Sequence, residues 1–261
     1  MGDRIALGVE YDGTAYNGWQ RQRNGIGIQS LLEKALSIVA NQAIDVYCAG
    51  RTDKGVHATG QVVHFDSRAG RSARAWLLGA NSNLPADISV SWSKIVDSDF
   101  HARFSATARH YRYRILNRQV RSALHRNRAW WVYPQLDERR MQQGADLLLG
   151  EHDFSAFRAA GCRASSPHRN LSALGVNREG CWITLDISAN AFLQHMVRNI
   201  IGTLVAVGSG EKPPQWVGQV LNSRDRRLGG IAAPAQGLTL VAVSYPEIHA
   251  LPNRGVGIAT D

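Results

Sequence analysis

The chain has 261 residues, 44% hydrophobic and 20% charged, which is enough for a core without disulfide or metal and too apolar for a disordered segment. Thirty basic side chains against 21 acidic give a net charge of +9, and only Lys34, Lys54, Lys94 and Lys212 are lysines, so arginine carries the charge. There is no apolar run of ~18 residues, no leader-type apolar segment after Met1, and no C-x-x-C spacing among Cys48, Cys162 and Cys181. The reading is a cytoplasmic, reduced protein without metal or cofactor, whose field favours a polyanion such as RNA or DNA.

In chain order, residues 4–11 (RIALGVEY) are rich in β-formers and end at the turn Asp12-Gly13. Ile28, Leu31, Leu32, Ala35, Leu36 and Val39 recur at helical spacing and predict a helix over 28–40. Strands are expected over 44–49 and 61–66, a helix over 72–80, and an alternating strand over 88–96. The second part begins with a strictly alternating strand, 110–117, followed by a short one at 130–133. A helix over 137–149 has Asp137 as its N-cap. Strands over 170–176 and 181–187 flank the turn at 177–180. Helices over 191–207 and 213–221, a last strand over 238–245 and a flexible tail from about Pro252 complete the chain.

The order β-α-β-β-α-β thus occurs twice. The expected fold is α+β, with two tandem ferredoxin-like halves forming a large, mostly antiparallel sheet with helices on one face. The halves divide at residues 1–105 and 106–261.

The segment 48–65 (CAGRTDKGVHATGQVVHF) is the densest in chemistry. Glycines 50, 55 and 60 permit tight turns around Asp53, which lies between Arg51 and Lys54. Neighbouring cations favour the carboxylate form, as a nucleophile or general base requires. Taken alone, such a loop more often holds an aspartate that merely caps local amides. In the strand around Tyr111, period two sets Tyr111, Tyr113 and Ile115 on one face and Arg112 and Arg114 on the other. That pattern suits base stacking beside phosphates, and equally a tyrosine core with solvated arginines. On the helix over 191–207, Arg198 borders a broad apolar arc, beside a polar strip of His195 and Asn199. Read from the helix alone, it snorkels to solvent. Gly25 and Gly27 lack the leading strand and third glycine of a dinucleotide loop. His57 and His64 lack a third ligand at metal spacing.

Six blocks in order resemble the TruA-type tRNA pseudouridine synthases. They are EYDG at 10–13 with GWQRQ at 18–22, AGRTDKGVHA at 49–58, FHARFSA at 100–106, YRY at 111–113, FLQHMVRN at 192–199 and QGL at 236–238. The resemblance covers nearly the whole chain. It implies an isomerase that converts uridine to pseudouridine in the anticodon arm of tRNA, typically at positions 38, 39 and 40. It implies a homodimer that needs no cofactor or metal. Asp53 matches the family's catalytic aspartate and Tyr111 its active-site tyrosine. Arg51 matches the arginine beside the aspartate, and Arg198 a second arginine that pairs with it. Leu238 is similar to the aliphatic residue lining the uracil pocket. With Tyr111 and Leu238, the expected substrate contacts are Lys54, His57, Arg112 and Arg114. The N-terminal half would carry the aspartate loop and the C-terminal half would complete the cleft.

A different class remains open on charge and tyrosines alone, a non-catalytic basic module that binds or folds tRNA. The guarded carboxylate of Asp53 argues against it, because phosphate binding has no use for one. A metabolic enzyme on the same scaffold would have no need of so basic a surface.

Overall fold

The computed structural model describes residues 2–22 and 24–252. The expected tail lies, from residue 253 on, outside the described residues. The chain forms two compact units. One runs to Thr107 and resumes from Leu240, and the other spans residues 108–239. Both combine antiparallel strand pairs with helices, the α+β class expected.

The first unit contains β1 (Asp3–Tyr11), α1 (Ile28–Ala40), β2 (Tyr47–Cys48), β3 (His57–Ser67), α2 (Ala73–Asn83), β4 (Ile88–Val96) and, from Leu240, most of β10 (Leu238–Ser244). Its strands run in the order β4-β1-β3-β10, with β2 on β3. β1 is antiparallel to both neighbours, and Ile5 faces Phe65 on one side and Ile95 on the other. Alternation sends Ile5, Leu7 and Val9 into the core, where each is at most 1% exposed. α1 has the bounds its periodicity predicts. The helix expected from residue 72 starts one residue later because Ser72 is its N-cap, accepting the Ala75 N–H.

β2 is much shorter than the strand expected over 44–49. α1 captures the missing backbone donors. The Ile44 N–H donates to Ser37 Oγ at 3.0 Å and the Val46 N–H to the Glu33 carboxylate at 3.1 Å. A strand ladder has no claim on amides already satisfied this way.

The second unit contains β5 (Ala108–Asn117), β6 (Trp130–Val132), α3 (Glu138–Asp146), β7 (Gly150–Asp153), β8 (His168–Glu179), β9 (Trp182–Ala189), α4 (Met196–Gly208) and α5 (Trp216–Ser223). β5, β9, β8 and β7 lie side by side, and β6 runs parallel to β5. Tyr111 faces Ile187 and Tyr113 faces Leu185 across β5 and β9. α3 packs on α4 and β8. Asp137 caps α3 as expected, accepting the Arg139 and Arg140 N–H groups.

α4 begins at Met196, a turn later than its apolar pattern suggests. His195 adopts a left-handed backbone (φ 61°), and the Gln194 carbonyl accepts the Ala159 N–H. Asn199 also departs from the expected polar strip. It is 2% exposed, donates to the Phe157 carbonyl at 2.7 Å and accepts from Arg226 at 3.0 Å. A buried amide with both ends satisfied fixes a helix as firmly as an apolar contact. β7 carries no sequence signal of its own and opens at Gly150, whose φ is positive at 96°.

Candidate active site

In the first unit, β2 leads through Ala49 and Gly50 into the Arg51-Thr52-Asp53-Lys54-Gly55 loop, which returns into β3. Arg51 and Lys54 are exposed, Asp53 is half-buried and Thr52 is buried. The Asp53 carbonyl accepts the Val56 N–H at 3.1 Å, closing a turn that contains Gly55 at φ 80°. The side chains around Asp53 thus divide between solvent and core within two residues. Thr52 anchors, and Arg51 and Lys54 present charge.

Three braces hold this loop. The Tyr11 hydroxyl lies 2.8 Å from Thr52 Oγ1 in the interior. Gln61, fully buried, donates from Nε2 to the Gly50 carbonyl at 2.7 Å. The Trp19 N–H donates to the Thr52 carbonyl at 3.0 Å, and Trp19 is 1% exposed. Beside it, Gly18 has φ 91°, and a Cβ there would stand 2.7 Å from the Thr52 carbonyl oxygen and 3.0 Å from the Asp53 carbonyl carbon. Only glycine allows this backbone to lie directly on the aspartate loop.

His57 is 2% exposed, so it supports the loop from below. Its Nδ1 is 3.1 Å from the Gly13 nitrogen and 3.1 Å from Asp12 Oδ1. One ring nitrogen serves one of these at a time: as an acceptor it takes the Gly13 N–H, and as a protonated donor it pairs with Asp12. Cys48, at the entrance to the loop, is no nucleophile at neutral pH. Burial pushes its thiol up to about 12, against the opposing pull of Arg51 and Arg103.

In the second unit, Tyr111 and Tyr113 point to the buried face of β5 as alternation requires. Tyr113 is core, its hydroxyl donating to the Pro234 carbonyl at 2.8 Å. Tyr111 retains 8% exposure and meets Phe192 edge-on, with centroids 5.2 Å apart. On the opposite face, Arg112 forms a two-point pair with Asp186 at 2.8 and 3.1 Å. The Arg114 guanidinium lies 4.5 Å from the Trp182 ring centroid. Leu238, at the start of β10, is 5% exposed.

Arg198 Nε donates to the Ala233 carbonyl at 2.7 Å, and the Ala233 N–H returns to the Arg198 carbonyl at 2.9 Å. This clamp needs close backbone contact one turn on. A Cβ at Gly202 would lie 1.6 Å from the Ile231 oxygen. The segment 230–233 therefore ties down the guanidinium instead of leaving it to snorkel. Among the described residues, no three His, Cys, Asp or Glu side chains gather as metal ligands, and no helix is long and apolar enough to cross a membrane.

The glycines and cations of the sequence mark the Asp53 loop but not the braces that hold it. Tyr11, Thr52 and Trp19 carry no local sign of that role. Gln61 did leave a signal, a polar residue directly before the apolar pair Val62-Val63.

Known proteins bear on this chain at high similarity. A family model described as tRNA pseudouridine synthase matches residues 8–105 and 145–246. The chain is 55% identical over 254 residues to the tRNA pseudouridine synthase A of Vibrio parahaemolyticus, covering 97% of this chain and 96% of that protein. It is 54% identical over 254 residues to the protein of the same name from Coxiella burnetii, covering 97% of each. The Histophilus somni protein of that name is also 54% identical, over 97% of this chain and 94% of its own length.

Proposed function

The chain belongs to the tRNA pseudouridine synthase family, and from that premise we propose that it isomerises uridines 38, 39 and 40 in the anticodon arm of tRNA. The observation that carries this reading is the braced loop. A half-buried aspartate between two exposed cations is held by a buried hydroxyl pair, a buried amide and a backbone clamp.

The reaction breaks the N1–C1′ bond, turns the uracil and joins C5 to C1′. The proton lost from C5 is balanced by the one gained at N1, so no redox partner or group donor enters. The Asp53 carboxylate serves as the ionised group, and three routes share that requirement: attack on C1′, removal of a sugar proton, or addition to the base. Arg51 and Arg198 are its proposed cationic partners, and Tyr111 the ring that stacks on the uracil, with Leu238 lining the pocket. Lys54, Arg112 and Arg114 are proposed for the RNA backbone. His57, being buried, is better suited to positioning the loop than to touching substrate. Extruding the target base costs a few kcal/mol, which phosphate contacts to a chain of charge +9 offset.

We assign the activity to a cytoplasmic homodimer. The exposed Trp131, 40% accessible at the edge strand β6, supports association. Light scattering should return twice the chain mass at micromolar concentration, and a monomer mass overturns that assignment.

The test of function is tritium release from tRNA carrying 5-tritiated uridine. Wild type should release tritium stoichiometrically from the anticodon-arm sites, and Asp53→Asn should release none while binding tRNA normally. Equal release by both proteins would remove Asp53 from the chemistry. No release by wild type would favour the binding module instead.

A further inference from the structure

A second cluster in the first unit, apart from the aspartate and its braces, combines aromatic rings with cations. Phe104 is 76% exposed and Tyr47 56% exposed, while the other phenylalanines, tyrosines and tryptophans among the unit's described residues are buried or half-buried. Between them lie two histidines. Tyr47 stacks on His64 with centroids 5.2 Å apart and planes at 23°. His64 meets His101 at 4.5 Å, and His101 lies against Phe104 at 4.4 Å and 34°. The rings form a continuous pile, most open at its Phe104 end.

This pile is rigid. Phe100 is fully buried, packed with Trp92, Val96, Val243 and Tyr245. The Ala102 N–H donates to His64 Nδ1 at 3.1 Å, and its carbonyl accepts the Tyr245 hydroxyl at 2.6 Å. His101 Nδ1 accepts the N–H groups of Arg103 and Phe104 at 3.1 and 3.2 Å. The His101 N–H donates to Ser105 Oγ, and the Ser105 N–H returns to the His101 carbonyl, both at 2.9 Å. A turn fixed at every residue holds Phe104 out in water, where its apolar surface loses about 1.5–3 kcal/mol relative to burial. Such an arrangement suits a ligand that covers the exposed ring.

Charge identifies the ligand class. The Arg103 guanidinium lies 5.6 Å from the Phe104 centroid. Arg51 follows Tyr47 by four residues, and Cys48 feels the charge of both Arg51 and Arg103. Arg4, behind the pile, is already paired with Asp66 at 2.8 Å. Planar rings beside cations at the entrance to the aspartate loop match an unstacked nucleobase and its phosphate. Extruding one base also strips its neighbour of a stacking partner, which such a surface replaces.

We propose that Phe104, with Tyr47, His101 and Arg103, is a stacking shelf for an unpaired base of the substrate tRNA, a nucleotide other than the one isomerised. The proposal rests on the tRNA-modifying reading given above.

The experiment measures Kd for an unmodified tRNA transcript, its salt dependence, and KM and kcat by tritium release. It compares wild type with Phe104→Ala, Phe104→Leu, Phe104→Trp and Arg103→Ala, with melting curves and light scattering alongside. Phe104→Ala and Phe104→Leu should raise Kd and KM about 5–150-fold, the range that loss of one base–aromatic stack represents. Their kcat should stay within about threefold, and Phe104→Trp should bind like wild type. The slope of log Kd against log salt should be unchanged in Phe104→Ala and shallower by about 1 in Arg103→Ala. Unchanged Kd in Phe104→Ala overturns the shelf, as does recovery by leucine, or a defect confined to the dimer mass. Absence of tritium release from wild type refutes the reading of function, and the binding series still decides the shelf.

Discussion

The Tyr11 hydroxyl and Thr52 Oγ1 lie 2.8 Å apart in the interior, though 41 residues separate them in the chain. Tyr11 ends β1 and Thr52 directly precedes Asp53, so one hydroxyl pair ties the central strand of the first unit to the loop that bears the aspartate. Tyr11→Phe keeps the ring and leaves Thr52 Oγ1 without this partner. Stability should fall by about 1–2 kcal/mol in urea titrations. Turnover should fall about tenfold with KM for tRNA nearly unchanged, because positioning acts on chemistry and phosphates on binding. A rise in KM at constant kcat would refute the positioning role.

Gly18→Ala tests the same loop from its other side. The new Cβ meets the Thr52 and Asp53 backbone, and φ 91° is strained for any residue with a side chain. The expected cost is about 1–3 kcal/mol of stability. Activity should fall further than the melting curve explains when assayed well below the transition. Activity proportional to the folded fraction would show that the contact is merely structural.

His64 makes stability depend on pH. Burial, and after it the charges of His101 and Arg4, bring its pKa down to about 4, and its Nδ1 already accepts the Ala102 N–H. The unfolded histidine titrates near 6.5. Between pH 6.5 and 4 the unfolded chain takes up a proton that the native ring refuses, so stability falls as pH falls through that window and is complete above it. Burial also lowers His101 and His110, with the same sign. His64→Asn removes the titration and should flatten the loss of urea midpoint from pH 7 to 5, by at most about 2 kcal/mol. An equally steep decline in the variant would refute the assignment.

Tyr111→Phe separates the ring from the hydroxyl. If the hydroxyl takes part in moving the C5 proton, tritium release should drop about 10²–10⁴-fold with tRNA binding intact. Turnover within a few-fold of wild type would leave Tyr111 as a stacking residue only.

Much of this architecture was legible because its signals are local. The apolar spacing of Ile28 to Leu36 sets α1, Asp137 announces α3 as its cap, and alternation around Tyr111 sorts β5 into two faces. What the sequence hid depends on partners far along the chain. Nothing near Ile44 or Val46 says that Ser37 and Glu33 will take their amides. Asn199 looks like a surface residue until Phe157 and Arg226 close over it. The aspartate loop was recognisable from its glycines and cations, but the Tyr11 and Gln61 braces come from tertiary pairing that no short motif encodes. Read from its helix alone Arg198 snorkels to solvent, because its Ala233 anchor lies 35 residues away.

The return of the chain at Leu240 has a consequence for biosynthesis. The core around Phe100 includes Val243 and Tyr245, and β3 has β10 as a neighbour. On the ribosome, the first 107 residues emerge early, yet their last strand waits while residues 108–239 are made. At ~5–20 residues per second that delay is roughly 7–26 s. Through it, one side of β3 and the apolar face beside Phe100 remain uncovered, available to chaperones or to other unpaired strands. The unit that holds Asp53 is the first to begin emerging from the ribosome and the last to be completed.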